Sequence, residues 1–570
     1  MGNHRVLNWL SRTSFAFAAT LAACAGSTGD TARHAAKAPV DPNDPFASIE
    51  QNITALATQC TFNTSTGLMT VTMAADEVAI ISKRAADSAI LQNGQPCDNP
   101  VTSATLKKLV INGSTGDETV LVDFTNGLFA TGTSSASSSG IAVDMKAGTG
   151  DTFLVKGTSG DDNFTYGASG ILVNTDTNKD ITVAGAETYK LALGDGNDTY
   201  SAAGGGAAGA VFGAAITVYG GNGNDTFNQG SASTGGEVLW GNAGTDTVSY
   251  ASRSAAVTVT IGAAADDGAA GELDDINSDI EVVTGGSGDD TLTAASGVAA
   301  TLNGGPGNDT LIGDSAADTL NGGAGNDTLR GKGGADTLNG DDGDDTFDEE
   351  SAANGGDVMN GGAGTDTVDY SARTNDLTVT MDGAAANDGE SGEGDNVKSD
   401  VENILCGSGN DTVTGNSLNN RIDGAGGNDT LNGGAGDDVF VQGSAADGND
   451  HINGGAGVDT VDYSQRSADI TAVLDGTTAS GDLGNSEADI LGTDVENLWG
   501  GSGDDTLTGN ASANELVGGT GDDTLNGLAG DDVLEGGGGA ESNVLDCGAG
   551  VDLGYGEGSG TNAAKTNCEL

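Results

Sequence analysis

Along most of this chain the apolar residues follow neither a helical nor an ordinary strand rhythm. They recur singly, once in nine residues, as in the consecutive frames GGAGNDTLR, GKGGADTLN and GDDGDDTFD over 322–348. The first six positions of each frame are turn formers. The last three are β-compatible, and only the eighth position (Leu, Val, Ile or Phe) can point to one side. A turn of six and a strand of three make half of a flattened coil. Two frames make a full coil, with apolar residues from both halves meeting inside. Successive coils then stack as parallel strands about 4.8 Å apart. The pattern predicts an all-β, parallel β-solenoid.

The periodic part starts near 108 with weak frames at Gly113–Glu118, Gly157–Asp162 and Gly194–Asp198, and unbroken frames run over 304–348, 406–441 and 500–535. Nine copies match G-G-x-G-x-D, starting at Gly220, Gly285, Gly304, Gly322, Gly361, Gly433, Gly454, Gly500 and Gly518. A fixed period of this kind marks a repeat architecture. A larger unit occurs three times. Phe227, Phe347 and Phe440 each close a frame and precede a three-residue insertion and two further frames. Tyr250-Ala-Ser-Arg253, Tyr370-Ser-Ala-Arg373 or Tyr463-Ser-Gln-Arg466 follows, then an apolar strand, an acidic loop, and Asp279-Ile-Glu, Asp400-Val-Glu or Asp494-Val-Glu. Before the repeats, alternating stretches over 49–107 predict a few strands that cap the stack, since a solenoid needs a terminal unit to cover its core.

Composition adds a difficulty. Gly supplies 97 of 570 residues and aromatics 4%, so a conventional core is scarce; 84 Asp and Glu against 20 Lys and Arg give a formal charge of −64. Such a body repels phosphate backbones, which excludes nucleic acid as a partner. Low hydrophobicity with high charge ordinarily means disorder, but disordered acidic tails keep no register. Stacking sets the sixth-position aspartates in columns, where bare carboxylates would repel. A hard divalent cation between neighbouring turns reverses that sign. Calcium takes six to eight oxygens and fits bent glycine turns better than magnesium, which demands a tight octahedron.

In these frames the sequence resembles the RTX family of calcium-binding nonapeptide-repeat proteins, over about 108–552 and most densely over 285–535. The resemblance implies a parallel β-roll that folds when several calcium ions bind outside the cell. It also implies a ligand set at matching positions: Asp225, Asp246, Asp290, Asp309, Asp327, Asp336, Asp345, Asp366, Asp411, Asp429, Asp438, Asp459, Asp505, Asp523 and Asp532, completed by glycine carbonyls. Departures from the family pattern weaken some turns. Asn420 and Asn514 replace the acid, Glu118 and Glu237 lengthen it, Gly313–Asp318 lacks two glycines, and Lys332 stands at a second position.

The N-terminus reads as an export address. Arg5 and Arg12 precede a short apolar run over Thr13–Ala23, too short to span a bilayer. Leu21-Ala22-Ala23-Cys24 resembles the lipobox of bacterial lipoproteins, implying cleavage before Cys24, acylation of its thiol and a membrane-anchored mature chain, with the outer membrane and cell surface as the expected location. Cys60 and Cys97 are expected to pair, as are Cys547 and Cys568, leaving Cys406 a buried free thiol. The expected organisation is a signal peptide over 1–23, a Pro-containing tether over 24–48, and a β cap over 49–107. A degenerate solenoid over 108–228 follows, then a β-roll with three loop-bearing units over 229–552 and a disulfide-closed end over 553–570.

No catalytic centre is expected. The three histidines are His4 in the signal, His34 in the tether and His451 at an outward strand position, and neither H-E-x-x-H nor G-x-S-x-G occurs. The acidic loops Asp266–Asp275 and Asp388–Asp395 suit a further calcium site or a solvated loop. The reading is a structural or adhesive surface protein that meets an extracellular glycan or protein. A carbohydrate-active enzyme on a β-solenoid is the alternative, with Trp240 and Trp499 as the available sugar-stacking residues.

Overall fold

The computed structural model describes Phe46, residues 58–129, 140–174 apart from 147 and 149, 178–384 apart from 264, 386–539, 542–558 and 564–569. The expected signal peptide, Cys24 and most of the tether lie outside these residues. Strands connected by turns account for the described chain, whose helical content is two three-residue 3₁₀ turns. The predicted two-frame coil is present. Thr310, Thr328 and Thr346 are register partners in neighbouring parallel strands, as are Leu311, Leu329 and Phe347. On the opposite face Leu302, Leu320, Leu338 and Met359 are stacked the same way. The Leu, Phe and Met side chains of both files are fully buried. The core is thus two facing files with one residue per strand. Next to it, Asn321, Asn339 and Asn360 pass side-chain hydrogen bonds from coil to coil at 2.7–2.8 Å.

The two halves of a coil are not equal, as a symmetric frame would have them. Thr319–Ala324 is six residues long, because pairing continues into the corner as Gly323 against Gly305. Thr328–Arg330 stops at three. Residues 58–201 are built differently again. Strands such as Thr119–Asp123 and Thr152–Lys156 turn two residues each into the core, Val120 with Val122 and Phe153 with Val155, which gives these coils a wider core, and the residue between them is buried on the other face.

The three loop-bearing units are where the faces change. The nine-stranded sheet ends at Asp275–Ile276 in the first unit, where the fifteen-stranded sheet starts with Val257–Thr260. The sixteen-stranded sheet ends at Asn396–Val397 in the second unit, where a six-stranded sheet starts with Leu377–Thr380. That sheet ends at Ile490–Leu491 in the third, and a five-stranded one starts with Thr471–Val473. Each unit therefore closes one face and opens another while the second face runs through.

A buried latch fixes each loop. Tyr250, Tyr370 and Tyr463 donate to Asp274, Asp395 and Asp489 at 3.0, 2.8 and 2.8 Å. Arg253, Arg373 and Arg466 lie over those tyrosine rings at 5.5–5.7 Å and grip Glu272, Glu393 and Glu487 with both terminal nitrogens. These loops are accordingly anchored inside the stack rather than solvated throughout. Cys60 is joined to Cys97 and Cys547 to Cys568, with Cα atoms 5.3 and 5.0 Å apart, and Cys406 is free and buried.

Candidate metal centre

At the corners the sixth-position acids form ladders. The backbone N–H of each donates to Oδ1 of the equivalent acid one coil further on: Asp309 to Asp327 at 2.6 Å, Asp327 to Asp345 at 2.8 Å, and Asp345 to Asp366 at 2.9 Å. Parallel ladders run from Asp198 through Asp225 to Asp246, from Asp411 to Asp429, from Asp438 to Asp459, and from Asn514 to Asp532. The D-[IV]-E motif now has a role. Asp246, Asp366 and Asp459 end their columns by donating to Glu281, Glu402 and Glu496 at 2.8–3.1 Å. The link there is two residues shorter, with residues 277–281 standing where the preceding coil has 240–246, and the longer glutamate makes up the reach.

One oxygen per acid is thereby used, and the other separates two kinds of corner. Oδ2 of Asp225, Asp246, Asp309, Asp327, Asp336, Asp345, Asp366, Asp429, Asp438, Asp459 and Asp532 is buried without a hydrogen-bond partner. Where it sits is shown by the glycines. A Cβ on Gly304 would run into both Asp309 Oδ2 and the carbonyl of Gly322 in the next coil; Gly322, Gly340 and Gly433 meet the same pair of groups in their own corners. Two acceptors converge with no donor between them, which is an arrangement for a cation. The second position of these open corners is left-handed (Gly305 φ +103°, Gly323 φ +114°), so its N–H does not reach the acid.

In closed corners the second-position N–H does reach it. Gly286 donates to Asp290 Oδ2 at 2.6 Å, Gly501 to Asp505 Oδ2 at 2.7 Å, and Asp314 to Asp318 Oδ2 at 2.8 Å. Asn416 and Asn510 donate likewise to Asn420 and Asn514 at 2.8 Å. Each of these acids or amides starts its column, with no glycine corner stacked before it. Asp290 and Asp505 thus differ from the expected ligand set: their other oxygens accept from Val257 and Ile470, so neither oxygen is bare. Asp411 also starts its column, accepting from Leu377 at 2.8 Å, yet its Oδ2 is bare as in the open corners; Asp523 accepts from Asp505 at 2.9 Å. Lys332, at a second position, takes φ +65° and keeps the open geometry beside Asp336. Sequence reasoning missed Asp198, Asp357 and Asp552, whose Oδ2 atoms are equally bare. Asp357 follows Ala-Asn-Gly-Gly and Asp552 follows Ala-Gly-Val, so neither matches the full motif.

Burial, reinforced by neighbouring acids, pushes Asp327 and Asp336 up to about 7 and Asp309 up to about 6. Without metal, the folded state therefore holds more protons than the unfolded chain between about pH 4 and 7. Its stability is greatest below that window and is lost as pH rises through it. In calcium-free buffer, far-UV circular dichroism is expected to show more β-structure at pH 5 than at pH 8.

Non-glycine residues at left-handed second positions carry strain. Leu528 (φ +70°) is also half-exposed. Leu528→Gly is expected to raise stability by about 1 kcal/mol, read as a higher melting temperature in calcium.

Stacked two-frame coils with acid-lined glycine corners define a calcium-binding β-roll. The family model described as the RTX calcium-binding nonapeptide repeat matches residues 217–230, 275–298, 299–329, 322–348, 351–372, 407–440, 444–465, 492–525, 508–540 and 517–553, and the chain belongs to that family. No curated protein matches the chain.

Proposed function

We propose that this is an exported, lipid-anchored structural and adhesive protein of the bacterial envelope, whose β-roll folds on calcium outside the cell. The observation that carries the reading is the run of buried, unpartnered Oδ2 atoms at successive corners. Their carboxylates are the proposed ligands, with the carbonyls of stacked first-position glycines; Asp290 and Asp505 are left out of that set. A chain built so is unstable where calcium is scarce and stable where it is about millimolar. Cysteine pairing at both ends supports an oxidising compartment, and Leu21–Cys24 supports the anchor.

A scaffold rather than an enzyme is supported by the nucleophile inventory. His451, the one histidine among the described residues, is exposed on a strand. Burial raises the Cys406 thiol well above its ordinary value, which keeps it inert. For adhesion, the exposed Trp240 lies parallel to Tyr219 (18° between planes, centroids 6.4 Å apart), a flat aromatic face suited to a sugar ring. Protease treatment of whole cells tests the reading. The protein is expected to resist in calcium, to be digested in chelator, and to leave the membrane fraction after Cys24→Ala. Digestion at equal rates in both conditions, or retention of the variant, counts against it.

A further inference from the structure

The three latches differ at one inward position. Two residues after the closing phenylalanine stand Gln229, Glu349 and Gln442, all fully buried. In the third unit the Gln442 amide stands near the ladder acid Asp450 and, as a potential hydrogen-bond donor, favours its ionised form. A carboxylate cannot donate such a bond, yet the second unit has one. One carboxylate oxygen each from Glu349, Glu393 and Asp395 lies within 4.8 Å of the other two. Glu349 Oε2 accepts from Asn354 Nδ2 at 3.1 Å, whereas Oε1 has no partner at zero exposure.

Arg373 answers the charge only in part. Its one positive charge is shared by Glu393 at 2.9 and 3.1 Å, Glu390 at 3.3 Å and Glu349, whose Oε2 lies 3.6 Å away. The third unit also has an extra acid, Asp447, but sets it against the guanidinium, 2.8 Å from Arg466. The second unit has neutral Asn354 at that place and carries its negative charge on Glu349 instead. Several buried carboxylates around one guanidinium leave an excess of negative charge, which is strongly unfavourable, and Glu349 Oε1 is the oxygen left bare. Each Asp395 oxygen holds one donor, Asp357 N–H at 3.0 Å and Tyr370 Oη at 2.8 Å, so Asp395 enters the group by its distance and Glu349 Oε1 is the bare oxygen.

We propose that Glu349, Glu393 and Asp395 form a separate cation site of the calcium class, an all-oxygen pocket inside the second loop-bearing unit. It is set apart from the nonapeptide corners by Glu349, from the insertion after Phe347, and Glu393, from the acidic loop, while Asp395 ends the corner ladder that runs from Asp336 through Asp357. Hard carboxylate oxygens with no nitrogen or sulfur donor select calcium over zinc or copper.

Crystals of the full chain grown in calcium chloride, measured at a wavelength where calcium scatters anomalously, test it. A peak is expected among the three carboxylates, and its loss is expected in Glu349→Gln while corner peaks remain. That variant restores the residue the other two units carry. In calcium it is expected to melt lower than the native chain, because an ion is lost. A higher melting point would mean that the amide merely relieved an unpaired acid, and would overturn the site. So would a wild-type map with peaks at the corners and none in the pocket, or a pocket peak that survives the substitution. Empty corners with a filled pocket would count against the corner ligands and leave this site standing.

Discussion

Removing calcium from the folded protein is expected to abolish most of its β-signal. A site with a dissociation constant near 10⁻⁴ M adds about 1.4 kcal/mol in about 1 mM calcium. On the order of ten such sites add on the order of 14 kcal/mol, as much as the net stability of an ordinary domain. Little else can replace them. In the regular coils each three-residue strand buries one side chain, as in Thr310–Ile312 and Thr328–Arg330, and the buried acids repel one another. The loss is not expected to be total. The wider coils of residues 58–201, with two core residues in strands such as Thr119–Asp123 and Thr152–Lys156 and the Cys60–Cys97 bond, are expected to retain part of the signal. Circular dichroism before and after chelation measures the loss, and alkylation of Cys406 reports it locally. That thiol is buried in the second half of the stack, so it is expected to react fast only in chelator. An unchanged spectrum with Cys406 still protected would contradict the dependence on metal.

The second large effect separates the two kinds of corner. Asp327 and Asp505 occupy sixth positions of perfect motifs, GGAGND and GGSGDD. Asp327→Ala removes a bare Oδ2 from the middle of a ladder and is expected to lose one or two bound ions, with a rise in the calcium concentration needed to fold. The stability cost is about 1.4 kcal/mol for each ion, with about 1–3 kcal/mol more for the stranded N–H of Asp309. Asp505→Ala strands two N–H groups, those of Ile470 and Gly501, and should destabilise at least as much. Its ion count is expected to stay unchanged. Equilibrium dialysis with elemental analysis decides. Equal ion losses in both variants would mean that N–H donation to the second oxygen does not exclude the cation.

The nine-residue spacing was enough to place Leu311, Leu329 and Phe347 in one buried file and Thr310, Thr328 and Thr346 in register, because each frame repeats the same local dihedral preferences. It was also enough to set the acids in columns. Motif matching does not distinguish Asp290 and Asp505, whose oxygens both accept backbone N–H groups, from the corner acids with a bare Oδ2, nor does it mark Asp198, Asp357 and Asp552, whose Oδ2 atoms are bare as well. The difference lies outside the motif, in whether another glycine corner is stacked on the preceding coil and which way the second-position peptide faces. The Tyr-x-x-Arg and D-[IV]-E motifs were visible as repeats, but their partners, Asp395 for Tyr370 and the N–H of Asp366 for Glu402, lie 25 and 36 residues away.

The amino-acid order by itself determined the coil, its handover of one apolar residue per strand, and the acidity of the corners, since all three follow from dihedral preference and spacing inside eighteen residues. Only the tertiary structure decided which carboxylate oxygens are left bare, where one sheet yields to the next, and that Glu349 faces Glu393 and Asp395. Those outcomes depend on what the neighbouring coil presents at van der Waals range. A hydrogen bond or a cation registers that neighbour to within an ångström, whereas a repeat period registers only that a neighbour exists.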